Sequence, residues 1–125
     1  EVSYTSTYKK MNYSLDYTYL KADDLTNNVK LSRRPENRLI GKLNYNIDMK
    51  NKISGSFISS SKSDNSIYDN HKLGGHTSFN ISYLYDNEDY TIQLKMNNIF
   101  DKKYRKAHNY NSEGKSYYLT LKKDF

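Results

Sequence analysis

The sequence has no cysteine, no tryptophan, one proline and five glycines among its 125 residues. Without cysteine, a disulfide scaffold, a cysteine zinc site and thiol catalysis are excluded. The low proline and glycine content excludes a collagen and a Pro/Gly-rich linker. The chain also lacks a run of about 18 apolar residues, which excludes a transmembrane helix. It has no short apolar stretch behind basic residues, so no signal peptide is recognisable.

The length allows one domain at most, or a piece of one. Because the chain begins at Glu1 rather than at methionine, we expect that it was processed at its N-terminus or belongs to a longer protein. The formal charge is +6 and the sequence pI is about 9.3. This charge permits an acidic partner, such as nucleic acid or lipid phosphates, without choosing between them.

Tyrosine is the abundant aromatic residue, with 14 copies against four phenylalanines, in a chain whose mean hydropathy is −1.02. Tyrosine combines an apolar ring with a polar tip and favours strands. Disordered chains are poor in aromatic residues, so this composition argues against disorder. It is typical of a sheet with one apolar and one wet face.

Alternation of apolar and polar residues recurs along the chain, whereas helical periodicity fails. The alternation predicts seven strands at residues 1–9, 12–22, 37–48, 52–62, 76–86, 89–99 and 116–125. One predicted face carries Leu15, Tyr17, Leu43, Tyr45, Phe79, Ile81, Ile92, Leu94, Leu119 and Leu121. The opposite face carries Asp16, Lys42, Asn44, Asn80, Gln93, Lys95 and Lys122. Most strands exceed the roughly 5–6 residues usual in globular proteins and match the roughly 9–11 of a tilted transmembrane strand.

Short and long connections alternate strictly between the predicted strands. Tight turns are predicted at 9–11, 48–51 and 86–89, and long polar loops at 23–36, 63–75 and 101–115. An outer-membrane barrel has this arrangement, with short periplasmic turns and longer external loops. Tyr8, Tyr13, Tyr85 and Tyr90 would then form an aromatic girdle at the periplasmic interface. The alternative is a soluble tyrosine-rich β-sandwich, whose core would need more Val, Ile and Leu.

Residues 97–104 read NNIFDKKY, and Asn98, Ile99, Phe100, Asp101 and Tyr104 resemble the NLFDKxY signature of TonB-dependent outer-membrane receptors. Residues 31–35 (LSRRP) and 110–117 (YNSEGKSY) also resemble stretches that precede strands in that family. The resemblance covers essentially the whole chain. The lengths of loops and strands most resemble the vitamin B12 (cobalamin) receptor branch.

The resemblance implies an all-β fold, an antiparallel up-and-down meander of about seven long strands that is part of a transmembrane β-barrel. Receptors of this family have a plugged 22-stranded barrel. Residues 1–125 would therefore be its C-terminal portion, without the plug domain. The implied location is the outer membrane of a Gram-negative bacterium. The implied partners are outer-membrane lipid and lipopolysaccharide, the barrel-assembly machinery, the remaining strands and plug, and TonB through the missing N-terminal part.

The last strand carries a candidate assembly signal. In the family that the chain resembles, a terminal phenylalanine with alternating apolar residues upstream is read by the assembly machinery. Tyr117, Leu119, Leu121 and Phe125 fit that spacing, and Lys123 departs from it. An ordinary edge strand with an apolar face is the alternative interpretation.

The long loops are the predicted place for ligand contacts. His71, His76 and His108 are the histidines of the chain, and we interpret them as exposed loop residues because no carboxylate cluster accompanies them. Asp64, Asp69 and the acidic turn 86–89 lack the spacing of a calcium loop. Basic residues in the loops are predicted either to meet lipopolysaccharide phosphates or simply to be solvated: Lys30, Arg33, Arg34, Arg38, Lys102, Lys103, Arg105 and Lys106.

Three functions follow as hypotheses. The first is the barrel part of a receptor for a scarce nutrient such as cobalamin or an iron–siderophore complex. The second is a small outer-membrane barrel that closes by itself or with another chain. The third is a soluble sandwich that binds sugars or nucleic acid. Nucleic-acid binding is not expected, because the aromatic face is nearly free of basic residues. No arrangement of catalytic residues appears, so we expect neither an enzyme nor a cofactor.

Overall fold

The computed structural model of the protein describes residues 1–66, 68 and 70–123. Strands account for all the regular structure in these ranges, and none of it is helical. The strands are β1 (Val2–Tyr8), β2 (Met11–Tyr19), β3 (Asp23–Asp24), β4 (Val29–Lys30), β5 (Asn37–Asn46), β6 (Asn51–Ser60), β7 (Ser63–Asp64), β8 (Lys72–Leu73), β9 (His76–Asp86), β10 (Tyr90–Asn97), β11 (Arg105–Ala107), β12 (Tyr110–Asn111) and β13 (Ser116–Lys123). Accordingly, the described residues include no helix long and apolar enough to cross a membrane.

The seven long strands form one antiparallel sheet in the order β1-β2-β5-β6-β9-β10-β13. Long strands that are consecutive in the chain are paired neighbours in the sheet. The predicted seven-stranded up-and-down meander is therefore confirmed. β1 and β13 occupy the two edges of this sheet.

The register places the apolar residues of the alternating patterns of neighbouring strands on the same side of the sheet. Leu15 pairs with Gly41, Leu43 with Gly55, and Leu94 with Leu119. Because residues that pair directly share a face, these pairs carry one apolar face across the sheet. Both predicted sets of residues are confirmed on opposite faces. Ile58, which breaks the alternation in β6, pairs with Ile40 on the polar face.

Among the described residues, no second layer covers the apolar face. Leu73, in β8, is the buried hydrophobic residue of the described chain, with 7% of its surface exposed. On the apolar face Leu94 is 51% exposed, and Leu119 and Leu121 are also exposed. A sandwich buries such a face against a second sheet, so the described residues do not fold as the β-sandwich of the alternative interpretation. We call this surface the bare apolar face.

Two glycines on the bare apolar face have different surroundings. A Cβ on Gly41 would lie far inside contact distance of the Phe57 ring, whereas a Cβ on Gly55 would meet no atom within 4 Å. The Phe57 ring therefore leans over Gly41 and leaves the surface above Gly55 open. An aromatic ring that covers a glycine on a neighbouring strand is a known stabilising device of sheets.

The short connections are local turns. Lys9 adopts the left-handed backbone conformation, with a φ of 51°, between β1 and β2. Between β5 and β6, Asp48 Oδ1 accepts the backbone N–H groups of Lys50 and Asn51, each at 2.8 Å. Aspartate side chains commonly stabilise turns through such bonds. These turns lie at the end of the sheet opposite to the long loops, which we call the turn end.

Sequence patterning predicted the long connections as loops without strands, and this was incomplete. Each one contains a two-stranded antiparallel hairpin, formed by β3 and β4, by β7 and β8, and by β11 and β12. These strands have two or three residues, too few for an alternation pattern to reveal.

Candidate functional site

The three long loops lie at one end of the sheet, because in a meander every second connection returns to the same end. They connect β2 to β5, β6 to β9 and β10 to β13, and we call them the first, second and third long loops. Together they form the loop layer. Asn65, in the second loop, joins all three and is only 5% exposed.

The bonds of Asn65 define how the loop layer is held. The guanidinium Nε of Arg33, in the first loop, donates to the Asn65 carbonyl oxygen at 3.2 Å. The backbone N–H of His108, in the third loop, donates to Asn65 Oδ1 at 2.8 Å. Arg33 N–H also donates to the carbonyl of Asp64 at 2.7 Å. Asn65 is thus bonded to the first loop through its backbone carbonyl and to the third loop through its side chain, and such bonds fix the relative position of the segments that they join.

A cleft of 240 Å³ lies between the first and second loops. Both charge signs line it: Asp23, Lys30, Arg34, Glu36, Lys62, Asp64 and Lys72. Lys30 Nζ pairs with Glu36 Oε1 at 2.5 Å, and Lys72 pairs with Asp64. Among the residues that the structure describes, Arg34 and Lys62 have no carboxylate within 4.0 Å. The cleft therefore presents two cationic groups that are not neutralised by a contact.

The pairing of Lys30 with Glu36 shifts both groups in the direction that favours their charges. The hydrogen bond from Lys30, and then its positive charge, lower the pKa of Glu36 below its ordinary value. The hydrogen bond to Glu36, and then its negative charge, raise the pKa of Lys30. Both groups are therefore charged at neutral pH, and the wall of the cleft is an ion pair.

The family-like motif at residues 97–104 forms the start of the third loop. Asn98 is 4% exposed and has a φ of 48°, a conformation that asparagine tolerates better than most residues. Its Oδ1 accepts the N–H of Lys102 at 2.9 Å, and its Nδ2 donates to the carbonyls of Lys102 at 3.0 Å and Glu113 at 3.3 Å. Its own N–H donates to Asn80 Oδ1 at 3.0 Å. Asn98 thus ties both ends of the third loop to the sheet.

Asp101 closes the same loop from the other side. Its Oδ1 accepts the backbone N–H of Lys115 at 2.9 Å, and its carboxylate pairs with Lys103 at 2.9 Å. The bond from Lys103, followed by that from the Lys115 backbone, lowers the pKa of Asp101. A Cβ on Gly114 would lie 2.9 Å from Asp101 Oδ1, so a larger residue there would displace this carboxylate oxygen.

Three further residues of the motif contact the end of the sheet that lies next to the long loops. Ile99 N–H donates to the carbonyl of Phe79 at 2.9 Å. Phe100 is 72% exposed and its ring meets the Phe79 ring edge-on, with centroids 5.4 Å apart. The Tyr104 ring stacks on His76 at 3.7 Å. In this chain, therefore, the motif anchors the third loop to the sheet. Phe100 extends the bare apolar face toward the loop layer.

Tyr117, Leu119 and Leu121, predicted as an assembly signal, lie on the bare apolar face of the edge strand β13. Phe125, the fourth residue of that signal, lies outside the described residues. The assembly role stays a prediction.

The histidines are distributed between two ring contacts rather than brought together. The rings of His71 and His108 are 3.9 Å apart across the second and third loops, and His76 stacks on Tyr104. Within residues 1–66, 68 and 70–123, no three metal-ligating side chains form a cluster. Asp69 lies outside these ranges. Asp86 accepts a hydrogen bond from Thr91 at 2.6 Å, as a turn residue does.

The sequence interpretation named Arg33 in the family-like stretch 31–35 and among the basic loop residues, without a role in joining the loops, and it missed Asn65 altogether. Asn65 lies in the polar run 63–66, and nothing in that run distinguishes it from an ordinary loop residue. Its role depends on contacts to residues far away in the chain, which a single sequence does not reveal.

No protein-family model matches the sequence, and neither does any curated protein. Solved structures do match in fold. The siderophore receptor PiuA from Acinetobacter baumannii is similar over 91% of this chain and 19% of its own, with a TM-score of 0.76 and 19% identity. A mutant of the ferric enterobactin receptor PfeA from Pseudomonas aeruginosa is similar over 95% of this chain and 21% of its own, with a TM-score of 0.80 and 16% identity.

A second PfeA mutant, in complex with enterobactin, gives a TM-score of 0.79 with 16% identity and the same shares of both chains. The chain thus spans about a fifth of the length of each of these receptors. The likeness shows the fold: the all-β, seven-stranded antiparallel meander of this chain has the architecture of part of each of these receptors.

Proposed function

We propose that the chain is the C-terminal barrel portion of a TonB-dependent outer-membrane receptor that takes up an iron chelate of the siderophore class. The bare apolar face carries this proposal. An apolar face of this extent lies opposite a polar face, and no layer of the described chain covers it, which suits a wall between lipid and a wet lumen. The similarity to receptors described as binding siderophores supports the choice of ligand.

In this proposal the loop layer faces the outside of the cell and the turn end faces the periplasm. The polar face, with Asp16, Lys42, Asn44 and Lys95, lines the lumen next to a plug that the rest of the receptor supplies. The cleft between the first and second loops contributes Arg34 and Lys62 to ligand capture. These cations suit the negative charge that many iron chelates carry, since opposite charges raise the rate of encounter. No chemical step is required of the chain, in keeping with a transport role rather than catalysis.

Cobalamin remains the alternative ligand, and the uptake experiment below separates it from an iron chelate. The other alternative, a small barrel that closes by itself, receives no support from the strand order, because β1 and β13 lie at opposite edges of the sheet.

The test uses the complete protein that contains this chain, expressed in a bacterium that lacks its own iron-chelate and cobalamin receptors. Uptake of radiolabelled ferric siderophores and of radiolabelled cobalamin is measured with and without a functional TonB system. We expect TonB-dependent uptake of an iron chelate. Uptake of cobalamin alone would show that the ligand is cobalamin and not an iron chelate. If the protein is present in the outer membrane and transports neither ligand, the receptor proposal is contradicted.

A pair of charge-reversal variants tests the cleft. Replacing Arg34 and Lys62 by glutamate should reduce uptake at low ligand concentration, because capture loses its two unneutralised cations. Replacing Lys9 and Lys50 at the turn end by glutamate changes the net charge equally and should leave uptake unchanged. Equal effects of the two pairs would show that the cleft has no particular part in capture.

A further inference from the structure

Two histidine rings from different loops lie against each other in the loop layer. His71 immediately precedes β8 in the second loop, and His108 immediately follows β11 in the third loop. Their ring centroids are 3.9 Å apart, and the ring planes are tilted by 36°. His71 is exposed and His108 is half-buried, so the pair is open to solvent. Neither residue lines the cleft to which we assign ligand capture.

Asn65 fixes the backbones that carry these two rings. Its N–H donates to the carbonyl of His71 at 3.0 Å, and its Oδ1 accepts the N–H of His108 at 2.8 Å. Because Asn65 is almost fully buried, these bonds leave little freedom to either backbone. The loops therefore hold the two imidazoles side by side in advance, which reduces the entropy cost for a ligand that binds both.

The distance between the rings suits two ligands of one metal ion. An imidazole nitrogen binds a metal at about 2.0 Å, so two imidazoles on adjacent positions of one ion have centroids about 4.4 Å apart. On opposite positions the centroids would be about 6 Å apart. The observed 3.9 Å is close to the first value. Small torsional changes that part the rings by about 0.5 Å would therefore let both rings bind one ion.

The surroundings of the pair select the kind of metal. Ca²⁺ and Mg²⁺ need several oxygen ligands, and the carboxylate next to Asn65 in the chain, that of Asp64, is already paired with Lys72. The guanidinium of Arg33 also contacts Asn65, and its positive charge disfavours an ion that is held mainly by charge. Imidazole suits Zn²⁺, Ni²⁺ and Cu²⁺, and Cu²⁺ is bound most tightly of these.

We propose that His71 and His108 form a two-imidazole site for a divalent transition metal ion, of which Cu²⁺ is held most tightly. Within the described ranges no third histidine or carboxylate joins them, so water fills the other positions of the ion. The bound ion cross-links the second and third loops and stabilises the state in which they are joined. The site rests on contacts within the loop layer, and it depends neither on the proposed orientation in a membrane nor on the transported ligand.

The test titrates Cu²⁺ into the complete protein that contains this chain, purified in detergent without a histidine tag and with glycine as a competitor for weakly held copper. His71→Phe and His108→Phe each remove one imidazole but keep a ring for the stacking contact. His76→Phe is the matched control, because His76 stacks on Tyr104 and lies outside the pair. Calorimetry gives the dissociation constant, and electron paramagnetic resonance counts the bound imidazoles. Copper sites elsewhere in the protein are common to all variants and cancel in the comparison.

We expect the copper site that these variants affect to have two imidazole ligands. Its dissociation constant should rise at least about tenfold in His71→Phe and in His108→Phe, because even the loss of a group that only supports a metal ligand costs about 10–100-fold. His76→Phe should change it less than about twofold, since it neither binds nor supports the ion. Hydrogen exchange of the His108 N–H, which donates to Asn65, should slow when Cu²⁺ binds and should not respond to Ca²⁺.

Three results would overturn the proposal: an unchanged dissociation constant in either variant of the pair, equal weakening by His76→Phe, or a site with one imidazole only. The first of these would mean that the two rings only stack. Exchange of the His108 N–H that Cu²⁺ does not slow would overturn the cross-link between the loops. If a variant fails to fold, this exchange measurement on the unchanged protein still decides the question.

Discussion

The sheet and the loop layer are held together by different interactions. Each long strand of the sheet is fixed by a continuous ladder of backbone bonds, and its side chains divide between the bare apolar face and the polar face. The loop layer depends instead on a few polar side chains, above all Asn65, Asn98 and Asp101, that bond to backbone groups distant in sequence. Substitutions should therefore act in the sheet through facing and packing, and in the loop layer through lost hydrogen bonds.

The largest expected effect tests the two faces of the sheet. Leu94→Arg places a charge in the middle of the bare apolar face, while Gln93→Arg places it one residue away on the polar face. If the apolar face meets lipid, Leu94→Arg should cost about 2–4 kcal/mol of folding free energy, and Gln93→Arg little. Folding of the complete protein into lipid vesicles, followed in a urea titration, gives both values. Similar costs for the two variants would mean that the bare apolar face does not meet lipid.

The next effect concerns the loop layer. Asn98→Ala leaves the Lys102 N–H and the carbonyls of Lys102 and Glu113 without their partner, which should cost about 1–3 kcal/mol. Asn98→Asp keeps the acceptor for the Lys102 N–H but turns a carboxylate oxygen toward the two carbonyls, so it should cost at least as much. Asn97→Ala, on the preceding strand residue, is the control, since the described chain gives Asn97 no side-chain hydrogen bond. Hydrogen exchange of the Lys102 amide reports local opening of the third loop. Unchanged protection of this amide in Asn98→Ala would show that the Asn98 side chain does not hold the loop.

A smaller effect separates two glycines of the bare apolar face. Gly41→Ala would push the Phe57 ring from its place, and overpacking of this kind costs about 1 kcal/mol or more. Gly55→Ala enters open space and should be neutral, or mildly stabilising because glycine is unfavourable in strands. The difference in unfolding free energy between the two variants measures the contact of Phe57 with Gly41. A difference near zero would mean that the ring moves aside freely.

The sheet was predictable because its signal is local and repeated. Facing in β2, β5 and β10 follows from period-two alternation alone, and one face fixes the register of the next strand. The three hairpins of the loop layer were not predictable, because two-residue strands carry no period. The position of Asn65 depends on tertiary contacts, so the cleft could not be predicted from the sequence, although the motif that contains Asn98 and Asp101 correctly marked the start of the third loop.

The smallest effect is the pH dependence of the ion pair between Lys30 and Glu36. The lowered pKa of Glu36 makes its contribution complete above the ordinary value of 4.5 and lost as the pH falls through the lowered pKa. The raised pKa of Lys30 makes its contribution complete below 10.5 and lost as the pH rises through the raised pKa. The Leu20 N–H, which donates to the Glu36 carbonyl at 2.8 Å, reports the state of this part of the first loop. Its hydrogen exchange, corrected for the intrinsic dependence on pH, should accelerate below pH 4.5 and above pH 10.5.

Glu36→Gln should abolish the acceleration at low pH, whereas Glu88→Gln, at the turn end, should keep it. An acceleration at low pH that survives Glu36→Gln would show that the sheet, and not this ion pair, sets the stability of the loop at low pH.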